Sequence, residues 1–444
     1  MRLSLKNVGK VAEADIELNG ITVIAGENDT GKSTISRALF CAFNSLYQKD
    51  EKILEQRRSF IKIRLENFLE RILFEQNREV FLLQKSEILK SWNEKIEKFT
   101  EELLKNKDFF IKNKNILNER VKNFYLQNKP EIKKQNEKNS EDLDKKYLLN
   151  SEYENIYKSI SIPDKTIFLF LAEDKFNEEF NNQINNIYNY DNFSEIKLSI
   201  KNKNIYFFVD ENNLENIKDA FSLNTEAIYI DDPFVLDEIA NKLLSDLEIY
   251  SRHRNDLKRK FSLNSKKTIV ENIITNEKLS LILNIINSVC NGEIVEIEKN
   301  KFGYKKKNSD AILNIENISA GLKTFFIIQK LLLNGSLEEN GTLILDEPEI
   351  HLHPAWQLVF AELIVLIQKE FGMHILLNTH SPYFLNAIEV YAARHGIADK
   401  CKYYLAENSD RGAVFTDVSN SINAIYKKLA RPFQDLENER YPND

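Results

Sequence analysis

Residues 26–34 read GENDTGKST, a Gly-x-x-x-x-Gly-Lys-Ser loop. It follows the apolar run ITVIAG at 21–26 and opens a stretch from Gly31 to about Tyr47 that reads as a helix. Strand, glycine-rich turn and helix, in that order, form the setting in which such a loop holds phosphate. Gly26 and Gly31 let the backbone turn tightly enough for amide N–H groups to converge on phosphate oxygens, and the helix N-terminus adds the positive end of its dipole. Lys32 is placed to reach the terminal phosphates of ATP, and the Ser33 hydroxyl to ligate Mg²⁺. Asn28 and Thr34 are further candidate nucleotide contacts in the same loop. The expected fold class is α/β, with the loop at the end of a buried strand.

A phosphate loop needs an acid at the end of a second apolar strand. LILDEPEIHLHP at 343–354 supplies one. Asp346 ends the strand, as a support for the Mg²⁺ shell, and Glu347 follows where a base would activate water. Taken alone, Asp346, Glu347, Glu349, His351 and His353 would read as a metal centre. Mg²⁺ prefers oxygen ligands, so His351 and His353 lose most of their standing as ligands to it. Asp346 lies far downstream of Lys32, so a large insertion splits the nucleotide fold.

The rest of the chain follows from periodicity. VAEADIEL at 11–18 alternates as a strand, and Asn19-Gly20 reads as a hairpin turn leading to ITVIAG. From about Gln48 to Lys146 apolar residues recur at helical spacing (Ile53, Phe60, Ile63, Leu65, Phe68, Leu69, Ile72, Leu73) in a Lys/Glu/Asn-rich, Gly-poor stretch broken near Pro130. It reads as a helical lobe, with a short antiparallel coiled-coil arm as the alternative. IKLSI and IYFFV flank Lys201–Asn204 as a hairpin, Asp232-Pro233 opens a helix, and EIVEIE and AILNIE are strands of one antiparallel unit. LILD and HILLN are buried parallel strands joined by helical crossovers. Beyond Ser381 come a helix (382–395), a hairpin (402–418) and a final helix (421–438). The expected divisions are 1–47, 48–165, 166–290, 291–400 and 401–444.

NISAGLKT at 317–324 places Ser319 as an N-cap and the small residues Ala320 and Gly321 at the start of an apolar helix. In the order GENDTGKS, ISAGLKT, LILDEPEIHLHP and LLNTHSP, the chain resembles the ABC-type ATPase heads of the SMC/RecF-like group. More narrowly it resembles the AAA-type ATPases of OLD-like and Septu-type anti-phage systems. The motifs cover residues 1–47 and 315–395, and the insertion matches by placement. The resemblance implies an ABC-type head split by a helical, coiled-coil-like and α+β insertion. It implies ATP and Mg²⁺ held by Lys32, Ser33 and Asp346, with Glu347 as general base and His380 as the switch histidine at the γ-phosphate. Ser319, Gly321 and Lys323 would act across a homodimer that sandwiches ATP, with higher oligomers open, and His351 would fall in the loop where the heads meet. The signature reads Ser-Ala-Gly where the family has Ser-Gly-Gly. The family's magnesium-sensing glutamine has no fixed place in this sequence, and Gln48 is one candidate for it.

Composition narrows the partners. A net charge of −7 argues against a surface built for non-specific nucleic-acid binding. Locally, RHRNDLKRKFSLNSKK at 252–267 sets Arg252, Arg254, Lys258, Arg259, Lys260, Lys266 and Lys267 against Asp256, a candidate contact for DNA or RNA phosphates. Cys41, Cys290 and Cys401 form no CxxC pair, as expected of a reducing interior, and the N-terminus lacks the apolar core of a signal peptide. These point to the cytoplasm, away from membranes and from transporter subunits. The tail is too short for the Toprim nuclease of OLD-type proteins and no separate acid cluster reads as a nuclease. The resemblance therefore implies a partner effector such as an HNH-type nuclease, in anti-phage defence. A RecF-like repair ATPase and an ATP-dependent assembly scaffold are the competing functions.

Overall fold

Runs of apolar residues with no polar face can form strands only where both faces are covered. ITVIAG, TLILD and HILLNT are such runs, and all three are buried along nearly their whole length. The computed structural model describes residues 1–76, 78–128, 148–189, 193–240, 252–261, 269–298 and 301–440. Strands, in chain order, are β1 Arg2–Val8, β2 Val11–Glu17, β3 Ile21–Gly26, β4 Phe193–Ile200, β5 Lys203–Asp210, β6 Asn213–Lys218, β7 Ala227–Ile230, β8 Gly292–Glu298, β9 Lys301–Lys306, β10 Ile312–Asn314, β11 Thr342–Asp346, β12 His374–Thr379, β13 Cys401–Ser409 and β14 Gly412–Asp417. Helices are α1 Lys32–Leu46, α2 Lys49–Gln76, α3 Arg78–Lys105, α4 Lys107–Lys112, α5 Lys114–Asn128, α6 Leu148–Ser161, α7 Asp164–Phe180, α8 Val235–Ala240, α9 Arg252–Phe261, α10 Ile269–Val289, α11 Ala320–Leu333, α12 Pro354–Phe371, α13 Pro382–Arg394, α14 Asn423–Leu429 and α15 Arg431–Arg440.

The described residues divide into two units, Met1–Tyr47 with Leu169–Asp444, and Gln48–Phe168. In the first, eleven strands share one sheet in the order β6-β5-β4-β1-β2-β14-β13-β3-β12-β11-β7. From β13 to β7 neighbouring strands run parallel, so their carboxyl ends line one edge. That edge is where an open α/β sheet presents its ligand site. Helices α11, α12 and α13 cover the parallel half, where Phe325 meets Phe360 edge-on at 5.3 Å within one continuous core. This is a mixed α/β unit whose large sheet carries the 26–34 loop at the carboxyl end of β3 and is interrupted by insertions. Three strands, β10-β9-β8, make a separate antiparallel sheet, with KFGYKK as the middle strand between the two expected ones.

Three expectations about connectivity are corrected. Asn19-Gly20 is not a hairpin turn, because β2 pairs with β1 and β14 while β3 pairs with β12 and β13. The hairpin lies earlier, at Gly9-Lys10. Gly20 has φ +78, and an added Cβ would sit 2.5 Å from the Lys400 carbonyl oxygen, so it is a close-approach glycine. Residues 193–230 do not form a lobe apart from the head: β4, β5 and β6 extend its sheet past β1, and β7 closes the opposite edge beside β11. The C-terminal hairpin is no appendage either. β13 lies parallel to β3, with Ala406 opposite Gly26, and joins the two halves of the sheet. The expected final helix is two, α14 and α15, parting at Ala430 just before Pro432, which cannot donate a helical N–H.

The second unit is a helical lobe. Ile61, Leu65, Phe68 and Leu69 of α2 meet Trp92, Ile96, Phe99 and Leu103 of α3 in one core. Residues from α5 and α6 join that core, with Phe124 stacked on Phe99 at 4.3 Å, which a two-stranded arm would not provide. Of the residues taken from periodicity, Ile53, Leu65, Phe68 and Leu69 are buried while Phe60 and Ile63 face solvent, and Ile61 takes the inward place beside Phe60. Pro130, Lys266 and Lys267 lie outside the described residues.

Candidate nucleotide site

The loop between β3 and α1 is shaped by its glycines. Gly31 sits at φ +74, and at Gly26 a Cβ would be 2.6 Å from the Ala406 carbonyl oxygen. Thr30 Oγ1 donates to the Glu27 carbonyl at 2.8 Å. Lys32 is buried, and its Nζ donates to the carbonyls of Gly26 (3.1 Å) and Glu27 (2.8 Å) across the loop. No side chain caps the N-terminus of α1, so its first amide groups are available to an anion. Asn28 and Ser33 are exposed, Thr34 partly so. Asp29 pairs with Lys10 of the β1–β2 turn.

The carboxyl ends of β11 and β12 complete the site. Asp346 is buried and accepts from Tyr229 at Oδ2 (2.9 Å) and from the Asn378 amide at Oδ1 (2.8 Å). The same amide donates to Ser36 Oγ of α1 at 2.8 Å, tying the two motifs together. Glu347 adopts φ 50, a left-handed backbone unusual for a non-glycine residue, and its N–H donates to the Asn378 carbonyl at 3.0 Å. Its Oε1 lies 3.6 Å from Lys32 Nζ and 3.3 Å from His380 Nδ1. The His380 contact holds the Glu347 carboxyl below the usual range; burial opposes this and Lys32 reinforces it. The Glu347 contact in turn raises the His380 imidazole above its usual value, against the effect of burial. Glu349 is buried, accepts from Thr379 Oγ1, and is pushed upward by its burial.

A sequence profile of the AAA ATPase domain family matches residues 1–385, from the first strand through LLNTHSP and across both insertions. The chain belongs to the AAA ATPase domain family. A retron Vc95 probable ATPase from Vibrio cholerae serotype O1 biovar El Tor is 25% identical over 199 residues, which cover 41% of this chain and 36% of that protein. The SMC head domain from Thermotoga maritima aligns over 94% of this chain and 98% of its own at 11% identity, with a TM-score of 0.38. An Smc head bound to the C-winged helix domain of ScpA aligns over 95% and 98% at 11% identity, with a TM-score of 0.43. These superpositions are loose, and the fold assignment stands on the strand order and the loop placement. Among the described residues no helix is long and apolar enough to cross a membrane.

For this family member the donor set fits ATP with Mg²⁺. An exposed hydroxyl (Ser33) and a carboxylate fixed by two donors (Asp346) are the oxygen ligands Mg²⁺ takes. Bound there, the ion would neutralise charge on the phosphates.

The other expected residues fare differently. Ser319 caps α11, accepting from the Leu322 N–H at 3.4 Å. Gly321 is packed so closely that a Cβ would meet the His351 carbonyl oxygen at 3.1 Å. Lys323 is corrected. It is 1% exposed and its Nζ binds both Asp237 oxygens at 2.5 and 2.7 Å, so it faces its own chain and not a phosphate across a seam. His353 caps α12, with Nδ1 accepting from Ala355 N–H at 3.3 Å, while His351 is exposed and meets Phe234 edge-on. Gln48 opens the second unit at φ 47.

The basic stretch is also corrected. Arg252 pairs with Glu178, Arg254 with Asp231, Asp232 and Glu238, Lys258 with Glu238, and both Arg259 and Lys260 with Glu226. These carboxylates come from other elements, so α9 carries no unneutralised basic stripe. Its His253 bridges Glu179 (2.7 Å) and Asp231 (3.1 Å). Burial lowers the His253 imidazole, but the hydrogen bonds and charges of these two acids outweigh it and raise it to about 9. A folded-state value above the ordinary 6.5 means the stabilisation is full below about 6.5 and is lost as pH rises through about 9. That shift is worth roughly 3 kcal/mol. Urea unfolding should show stability falling between pH 6.5 and 9.5, and His253→Gln should flatten that slope.

Sequence reasoning missed Tyr229 and Asn378, the two groups that hold Asp346. Asn378 lies in the quoted LLNTHSP motif, where a polar residue inside a buried strand was the available signal. Tyr229 gave none beyond a hydroxyl in an otherwise apolar strand, AIYI.

Proposed function

We propose that this chain hydrolyses ATP as one half of an ATP-clamped homodimer, and that the closure controls a partner effector. In this reading Lys32, Ser33 and the amides of the 26–34 loop hold the phosphates, Asp346 with Ser33 holds Mg²⁺, Glu347 activates water and His380 orients it. Ser319 and Gly321 form the edge offered to the second copy. The observation carrying the reading is the convergence of Lys32, Glu347 and His380, from three separate elements, with the Lys32 ammonium and the His380 imidazole both within 3.6 Å of one Glu347 oxygen. A lone head has its phosphate loop and its signature on one chain, so closure with a copy is a ligand-driven population shift.

The paired cations of α9 favour a protein effector over nucleic acid as the thing worked on. The resemblance to Septu-type systems and the similarity to a retron probable ATPase support a defence role, with an HNH-type nuclease as the partner. Light scattering on Glu347→Gln is expected to show a dimer with ATP and a monomer without it. A monomer under both conditions overturns the clamp. Co-expression with the neighbouring genes should recover a nuclease chain; recovery of nucleic acid alone would overturn the effector reading.

A further inference from the structure

The five cations of α9 are consumed within the fold, which leaves the purpose of the segment open. Its second residue, His253, points to one. Tyr229 lies in β7 and Asp231 follows directly after the strand's last residue, Ile230. His253 meets both: its ring stacks on Tyr229 at 4.1 Å and 28°, and its Nε2 lies 3.1 Å from Asp231 Oδ2. On its other side Nδ1 is 2.7 Å from Glu179 of α7. Phe40 of α1 packs against both rings, at 6.0 and 6.1 Å. Tyr229, 2% exposed and clasped in this way, donates its hydroxyl to Asp346 Oδ2 at 2.9 Å.

We propose that Tyr229 is a positioning residue for the metal-holding carboxylate, and that His253 of α9 sets the Tyr229 ring, so that the basic segment acts on the nucleotide site from behind. The proposal rests on the reading that Asp346 holds Mg²⁺. With one Asp346 oxygen taken by Asn378 and the other by Tyr229, the carboxylate can neither rotate nor withdraw into the sheet. The lone pair left on each oxygen is then held in a fixed orientation. Without the Tyr229 hydroxyl one oxygen is free to turn, and the ion loses a pre-set ligand. Groups that orient a ligand in this way are commonly worth about 10–100-fold in metal affinity. Anything that moves α9 or α7 would reach Asp346 by the same route.

The test uses the full-length chain and a fluorescent ATP analogue. Tyr229→Phe keeps the ring stack and removes only the hydroxyl. Analogue affinity in EDTA should be unchanged, while the Mg²⁺ concentration giving half of the metal-dependent tightening should rise about ten-fold. Thermal midpoints of the two proteins should agree within a few degrees. Asp346→Asn separates the two readings. If it leaves the Mg²⁺ midpoint unchanged, the metal assignment of Asp346 is wrong; if it shifts the midpoint and Tyr229→Phe does not, the positioning role is wrong. His253→Gln should shift the midpoint in the same direction by a smaller factor, and the Tyr229→Phe/His253→Gln double variant no further than Tyr229→Phe alone. Multiplying shifts would show that His253 does not act through Tyr229.

Discussion

Replacing Glu347 with Gln should lower ATP turnover by about 10²–10⁴-fold, the range a positioned general base contributes, with ATP affinity changed only a few-fold. The geometry singles out this acid from its neighbours. Asp346 is buried with both oxygens engaged, and Glu349 is buried against Thr379 with its carboxyl pushed upward, so neither is poised to take a proton from water in the site. Glu347 is only partly buried, has its carboxylate beside Lys32 and His380, and is anchored at its N–H by the Asn378 carbonyl. The contact with His380, followed by the charge of Lys32, keeps it ionised at neutral pH despite its burial. A Gln there keeps the shape and loses the base. Phosphate release and fluorescent-nucleotide titration measure the two quantities separately. Turnover within ten-fold of the parent would move the base elsewhere, and Glu349→Gln run in parallel should fall far less than Glu347→Gln.

The parts of this molecule legible in its sequence are those whose cause is local. The 26–34 loop, LILDE and NTHSP each combine a fully apolar strand with polar residues at its carboxyl end, and neither fact depends on distant residues. The parts that were not legible depend on pairing across the chain. Asn19-Gly20 has the composition of a hairpin turn, but β13 and β14 arrive from residues 401–417 to separate the strands on either side of it. The stretch RHRNDLKRKF looks basic because its acids lie at Glu178, Glu179, Glu226, Asp231 and Glu238. Tyr229 and Asp346 meet over a separation of 117 residues, through the β7–β11 register. Lys323 follows the same rule. Its position in the signature suggested an outward role, and the acid that binds it is 86 residues away.

That lysine gives the second large effect. Asp237→Ala should destabilise the fold by about 3–5 kcal/mol, because it leaves an uncompensated ammonium in a buried position. Lys323 Nζ has no water-facing alternative: it is enclosed by Asp237, the Glu316 carbonyl at 3.3 Å and the Phe234 ring at 5.0 Å. The reverse change is milder. Lys323→Met preserves the stem's packing and leaves Asp237, whose side chain is 30% exposed, to be solvated. Added to Asp237→Ala, it should restore much of the lost stability, the signature of a pair acting as a unit. Denaturant titration of the three variants measures this cycle. The two roles open to Lys323 diverge in turnover. A residue closing its own fold can be replaced by Met with ATP hydrolysis per folded molecule changed only a few-fold. A residue that contacts phosphate across the seam cannot, and loss of both turnover and ATP-dependent pairing in a stable Lys323→Met protein would mean that the side chain leaves Asp237 when the heads close.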